Sequence, residues 1–154
     1  MILLDADVLL IELRYMRDVK YLTNQQALQQ LKADGIQLGM TSQAMLEVIG
    51  NLSYNLSPPR VPQLPAILKI QYSLEIYPNP DLFPDYAGCT VPQLVAEMSK
   101  KMSLGDAVQS LQIAAHASFA DALLTWNAKH FTGKLCIPVL TPEDWLNQRK
   151  SRTP

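Results

Sequence analysis

The side chains in this sequence whose types and spacing could carry chemistry are carboxylates. Asp5 interrupts an apolar run, with Ile2-Leu3-Leu4 before it and Val8-Leu9-Leu10 after it, and Asp7 lies inside the same run. Such a run predicts a strand buried on both faces of a parallel sheet, with the two acids at its C-terminal end. A carboxylate there is costly to bury unless a divalent cation or another group pairs with it. Asp5 is therefore either a metal ligand or an acid that caps a turn.

Two further acids lie on predicted helices. Glu47 is opposite the apolar stripe of a helix that Thr41 or Ser42 could cap, which by itself is typical of a solvated surface residue. Asp106 follows Ser103 by three residues, a spacing that by itself indicates a capping box or a favourable charge at a helix start. Open α/β sheets bind ligands beyond the carboxyl ends of their strands, so these acids could meet Asp5 in one cleft. Spacing alone does not decide between these interpretations.

Other kinds of active site find little support in the sequence. It contains no Walker A loop, no GxGxxG and no HExxH, and only His116 and His130 could act as histidine bases. His116 lies among alanines on a predicted helix, where a structural role is expected. Cys89 and Cys136 are far apart and belong to no CxxC pair, so neither a disulfide nor a zinc site is predicted.

Composition indicates one globular domain. Of the 154 residues, 48% are apolar and 18% are charged. We predict a domain over residues 1–148 and a basic C-terminal tail over residues 149–154, which contains Arg149, Lys150 and Arg152. The net charge of −1 argues against binding of nucleic acid by bulk electrostatics. Any contact with a polyanion must then be local or metal-mediated.

The N-terminal residues and the hydropathy pattern favour a cytoplasmic protein. No basic segment precedes the first apolar residues, and two acids occur within the first seven positions, so no signal peptide is predicted. No apolar run approaches the ~20 residues of a membrane span.

Strands and helices that would position the acids alternate along the chain. Strands are predicted within the apolar run of residues 2–10 and over residues 36–40, 74–77, 122–126 and, at a sheet edge, 136–140. Helices are predicted over residues 25–32, which Thr23 and Asn24 could cap, after Thr41 or Ser42, over residues 92–102, and from Ser103 onward. This alternation predicts an α/β fold with a mainly parallel central sheet and helices on both faces.

Four stretches in this order resemble the PIN-domain ribonucleases, especially the VapC-like toxins of bacterial toxin–antitoxin pairs. The stretches are residues 1–9, residues 41–50, residues 104–107 with the Ala-rich helix after them, and the closing region over residues 124–131 and 139–146. The resemblance implies a PIN-like three-layer sandwich and carries three metal-site acids onto Asp5, Glu47 and Asp106. It further implies hydrolysis of RNA with Mg²⁺ or Mn²⁺ held by Asp5 and Asp106 and oriented by Glu47.

The sequence departs from that family at two positions. Many members have an acid where this chain has Asn127, and an Asn where it has Asp7. Asn127 can still hydrogen-bond a metal-bound water, and Asp7 either restores the missing charge or forms a local turn. Together with Thr125, these residues are expected to contact the substrate or to support the metal ligands.

The resemblance also implies a homodimer and a small antitoxin partner. Two alternatives remain open. One is a PIN-like module that binds RNA or a protein without cutting. The other is a phosphohydrolase of the haloacid dehalogenase type, because Asp5-Ala6-Asp7-Val8 resembles its nucleophile motif and Gly105-Asp106 its late acidic motif. No second acid follows Gly105-Asp106 at the distance that this second family needs.

Overall fold

The computed structural model describes residues 1–82 and 88–151, and in these residues five strands form one parallel sheet. The strands are β1 (Ile2–Leu4), β2 (Leu38–Thr41), β3 (Leu74–Tyr77), β4 (Ala122–Leu124) and β5 (Val139–Leu140). Their order is β3-β2-β1-β4-β5, and every neighbouring pair is parallel. The predicted parallel sheet is confirmed, as is the edge position of β5.

Helices cover both faces of this sheet. They are α1 (Ala6–Leu13), α2 (Tyr21–Ala33), α3 (Ser42–Ser53), α4 (Leu64–Tyr72), α5 (Val91–Met98), α6 (Leu104–His116), α7 (Ala128–Phe131) and α8 (Pro142–Lys150), with a 3₁₀ helix at Pro58–Gln63. Ile2 and Leu4 pack into a core with residues of α1 to α4 and α8, whereas Leu3 packs into a second core with residues of α6 and α7. This alternation confirms that both faces of β1 are buried.

The prediction of a strand from the apolar run of residues 2–10 was wrong for residues 8–10. The chain leaves β1 at Asp5 and enters α1, where Val8, Leu9 and Leu10 are buried on the helix. A helix buried on most sides and a buried strand both produce a continuous apolar run, so the pattern does not distinguish them. Asp5 is nevertheless at the C-terminal end of β1, as predicted.

Helix starts were predicted with mixed success. Thr41 caps α3, and Ser103 caps α6 through a capping box with Asp106, both as predicted. The predicted cap at Thr23 and Asn24 was wrong, because α2 already begins at Tyr21. Asn24 is instead fully buried inside the helix, where its side chain hydrogen-bonds to neighbouring elements.

At the C-terminal end, α8 continues through Lys150, and Arg149 forms an ion pair with Asp34 at 2.5 Å. Residues 152–154 of the predicted basic tail lie outside the described residues. Cys89 and Cys136 are not joined to each other by a disulfide. Within residues 1–82 and 88–151, none of the helices combines the length and the apolar character required to span a bilayer.

Candidate carboxylate site

Asp5 lies at the point where the order of the strands in the sheet reverses. It is the first residue after β1, next to the end of β4, and strands are added in opposite directions on the two sides of this pair. The crevice at such a reversal is where open α/β sheets bind ligands. The side chain is 6% exposed, and its Oδ1 accepts hydrogen bonds from Ala6 N at 2.8 Å and from Gln109 Nε2 at 3.2 Å.

Asp7 lies on the first turn of α1 and hydrogen-bonds to the backbone that follows β4. Its Oδ2 accepts backbone hydrogen bonds from Trp126 N at 3.0 Å and from Asn127 N at 3.1 Å. Its Oδ1 is buried and has no hydrogen-bond partner in the part of the chain that the structure describes. A role in fixing the local backbone therefore explains the hydrogen bonds of Asp7 Oδ2, but it gives no partner to Asp7 Oδ1.

Thr125 connects the two aspartates. Its fully buried hydroxyl donates to Asp5 Oδ2 at 2.7 Å and lies 3.2 Å from Asp7 Oδ2, and it accepts from Asn127 N at 3.0 Å. The hydroxyl has a single proton, so it cannot fully satisfy both carboxylates. Asp5 and Asp7, which follow β1, thus share the hydroxyl of Thr125, which follows the neighbouring strand β4.

Burial and mutual repulsion disfavour the charged forms of both aspartates. Burial raises the pKa of Asp5 above its ordinary value, and the charge of Asp106 adds to the rise. Burial and then the charge of Asp5 raise the pKa of Asp7 to about 7. Hydrogen bonds to the two carboxylates offset these effects only in part. An added positive charge would therefore stabilise the charged forms of both carboxylates.

Glu47 and Asp106 lie on α3 and α6 and approach the same place. Burial raises the pKa of Glu47, and the charges of Asp5 and Asp106 raise it further, so the three carboxylates share one electrostatic environment. Asp106 is 22% exposed, accepts from Ser103 N at 3.3 Å, and lies 3.6 Å from His130 Nδ1. Asp106 therefore has the predicted capping role, and its charge also acts on Asp5 and Glu47.

Gln109 is a site residue that the sequence analysis missed. It lies three residues after Asp106 on α6, is 2% exposed, and donates the hydrogen bond to Asp5 described above. Residues three apart lie on the same face of a helix. The position of this glutamine one turn after Asp106 is the signal that the sequence offers.

The predicted residues are brought together to different degrees. Asp5, Asp7 and Thr125 are in direct contact, and Glu47 and Asp106 lie near enough to influence them electrostatically. Asn127 contributes its backbone N–H, while the residue itself is exposed. Among residues 1–82 and 88–151, no three His, Cys, Asp or Glu side chains form a ready-made metal cluster.

The chemistry of these side chains suits a hard divalent cation. All four acids offer carboxylate oxygens, the ligands that Mg²⁺ and Mn²⁺ prefer, and the open Oδ1 of Asp7 is an unsatisfied acceptor at this position. Mg²⁺ usually binds one or two carboxylates and retains several waters, so it does not need three side chains in contact with one point. Asp5 and Asp106 could hold such an ion directly, with Glu47 and Asp7 acting through its waters.

No protein-family model matches this sequence, and no curated protein matches it either. The fold is similar to that of a chain in the crystal structure of VapBC2 from Rickettsia felis bound to a DNA fragment from their promoter. The TM-score is 0.58, and 18% of the aligned residues are identical, over 92% of this chain and 98% of that chain. At this identity the likeness concerns the fold, and a five-stranded parallel sheet with helices on both sides is consistent with a PIN-like sandwich.

Proposed function

We propose that this protein is a metal-dependent endoribonuclease that hydrolyses RNA phosphodiester bonds, and that it is the toxin of a toxin–antitoxin pair. The observation that supports the proposal is that Asp5 and Asp7 share one donor at the reversal of the strand order, where the charges of Glu47 and Asp106 also act on Asp5 or its neighbours. Among the described residues, no Lys or Arg forms an ion pair with any of these acids, and the imidazole of His130 lies 3.6 Å from Asp106. Such an excess of negative charge is expected of a site that binds cations.

The chain's own residues would divide the work as follows. Asp5 and Asp106 would hold Mg²⁺ or Mn²⁺, and Glu47 would orient its waters. The bound ion would supply an activated water and positive charge at the phosphoryl oxygens. Thr125 and Gln109 fix the orientation of the Asp5 carboxylate through the hydrogen bonds at 2.7 and 3.2 Å.

Asp7 and the chain after β4 would shape the substrate side of the cleft. The backbone N–H groups of Trp126 and Asn127 are fixed by Asp7, so the exposed residue Asn127 is presented at the rim of the site. There its amide is suited to hydrogen-bond a phosphate oxygen or a metal-bound water. With a net charge of −1, the protein would rely on the bound cation to accept a polyanion.

The direct test is cleavage of RNA by the purified protein with Mn²⁺ or Mg²⁺. We expect Asp5→Asn and Asp106→Asn each to lower the rate by about 100-fold or more, since each removes a charged ligand worth several kcal/mol in the transition state. Asn is a good helix cap, so Asp5→Asn should keep the start of α1. Asp81→Asn, at an exposed position outside the site, is the matched control and should retain full activity.

Full activity of either site variant, or undiminished cleavage in EDTA, would contradict the proposed mechanism. The unfolding temperature of each variant should be measured beside its rate, so that a loss of fold is not taken for a loss of chemistry.

The absence of a ready-made three-ligand cluster among the described residues favours one second candidate, a PIN-like module that binds RNA or a protein without cutting. Retention of RNA in a gel-shift experiment with no cleavage over a wide range of Mn²⁺ and Mg²⁺ concentrations would favour the module over the nuclease.

The antitoxin partner and the homodimer are further parts of the proposal. The antitoxin partner is supported by the resemblance to VapC-like toxins and by the likeness of the fold to a chain of the VapBC2 structure. The homodimer rests on the resemblance alone. Expression of the chain should arrest growth, and Asp5→Asn should relieve the arrest. Sedimentation of the purified protein would test the dimer.

A further inference from the structure

A cavity lies at the N-terminal ends of β2 and β3, whereas the aspartates lie at the C-terminal ends of the strands. Its volume is about 590 Å³, which is within the usual range for small-molecule sites. Its walls come from the chain before β2 and before β3, whereas Asp5 and Thr125 follow β1 and β4. Residues of α1 and α2 complete the cavity. Its lining includes Glu12, Gln25, Leu28, Lys32 and Tyr72.

Glu12 gives this cavity an acidic wall. It lies on the last turn of α1, and its Oε2 is buried without a hydrogen-bond partner among the described residues. Burial raises the pKa of Glu12, and a hydrogen bond from Asn24 offsets that rise only in part. A buried carboxylate oxygen without a donor is costly, and a positively charged donor would satisfy it best.

Tyr72 lines the same cavity near Glu12. Burial raises the pKa of Tyr72 to about 12, and the charge of Glu12 contributes to the rise, so the phenol and the carboxylate are close to each other. An aromatic ring beside a carboxylate is a favourable environment for an ammonium or guanidinium group. Leu28 adds apolar surface, and the amide of Gln25 can donate or accept hydrogen bonds.

Lys32 limits the charge of a suitable ligand. It also lines the cavity and is exposed, so it places one positive charge against the one negative charge of Glu12. A ligand with several positive charges would be repelled by Lys32 after pairing with Glu12. A single cationic head with a short apolar body fits this balance.

We propose that this cavity binds a small organic monocation, a primary amine or a guanidinium compound, with Glu12 as its counter-ion and Tyr72 against its body. The site is separate from the carboxylate cleft, and the proposal does not depend on nuclease activity.

The test uses butylguanidinium and butylammonium as probes and butanol as their neutral analogue, followed by amide NMR of the full chain. We expect saturable shifts at residues 35–38 and 71–73, with a dissociation constant of about 1 mM for a ligand of this size. Glu12→Gln should weaken binding at least tenfold, and butanol should not bind. Glu143→Gln, which removes the same charge on α8, is the matched control and should bind like the unmodified protein.

Tyr72→Leu provides a second variant that keeps Glu12, and it should weaken binding several-fold. The proposal is overturned if no saturable shifts occur at residues 35–38 and 71–73, or if Glu12→Gln binds as tightly as the unmodified protein. It is also overturned if the shifts occur only at residues 5–7 and 125–127, because the probes would then bind the carboxylate cleft.

Discussion

Replacing Asp7 by Asn should stabilise the metal-free protein above neutral pH. The native structure raises the pKa of Asp7 from 3.8 to about 7, chiefly through burial and the charge of Asp5. The folded state therefore retains a proton that the unfolded chain loses above about pH 4. Since the unfolded state binds fewer protons in this interval, the free energy of unfolding must fall as the pH rises toward 7.

The magnitude follows from the size of this rise. At 1.36 kcal/mol per pKa unit, ionised Asp7 costs the native state about 4 kcal/mol by pH 8, of which about 3 kcal/mol accumulates between pH 5 and pH 8. Asn at position 7 carries no charge and still offers an oxygen to Trp126 N and Asn127 N. It gives up charge-assisted hydrogen bonds, so we expect a net gain of about 1–3 kcal/mol at pH 8.

Urea denaturation in EDTA at pH 5, 6, 7 and 8 measures this effect. Asp7→Asn should shift the midpoint upward by about 1 M at pH 8 and should flatten the decline with pH. Part of the decline should remain, because the pKa of Asp5 is also raised by burial. Asp81→Asn, at an exposed position, should leave both the midpoint and the pH dependence unchanged.

Two results would refute this reasoning. One is a stability of the unmodified protein that stays constant from pH 5 to pH 8, which would mean that the aspartates are not buried against each other. The other is a lower midpoint for Asp7→Asn than for the unmodified protein at pH 8.

Three further predictions concern substitutions of single residues. Thr125→Val should lower the free energy of unfolding by about 2–4 kcal/mol, because two carboxylates lose their shared donor. Thr125→Ser keeps the hydroxyl and should retain most of the stability. Equal losses for the two variants in urea denaturation would contradict this prediction. Gln109→Met should weaken Mn²⁺ binding about tenfold in calorimetry, and unchanged affinity would remove Gln109 from the site. Gly39→Ala should cost about 1–3 kcal/mol, because a Cβ there would lie 2.9 Å from a leucine side chain of β1. Gly50→Ala, where a Cβ meets nothing within 4 Å, should instead gain up to about 1 kcal/mol, and a similar loss in both alanine variants would contradict the packing argument.

The sheet was largely predictable because its strands lie within short, mainly apolar segments. β3 was predicted at its observed bounds, and Thr41 and Ser103 marked the starts of α3 and α6. The start of α1 was missed because a buried helix directly after a buried strand leaves no change in hydropathy, although Asp5, a typical cap residue, caps this helix. The start of α2 was missed because Asn24, a typical cap, serves instead as a buried partner of Val8 O and Trp126 Nε1.

The candidate site was predictable only in part. Asp5 could be proposed from the cost of burying an acid after a strand, whereas Glu47 and Asp106 were proposed mainly from the family resemblance. Their approach to Asp5 depends on how α3 and α6 pack, which no local pattern encodes. The role of Asp7 in fixing the chain after β4 likewise depends on residues about 120 positions away in the sequence.

The hydrogen bond between Thr125 and Asp5 also has a consequence for synthesis on the ribosome. These residues are separated by 120 positions, so at about 5–20 residues per second Asp5 is made about 6–24 s before its donor. During that interval β1 can pair with β2 but has no β4 on its other side. A chain that stops before β4 keeps the first acid, yet it cannot assemble the cleft, so the site should be among the last parts of the molecule to form.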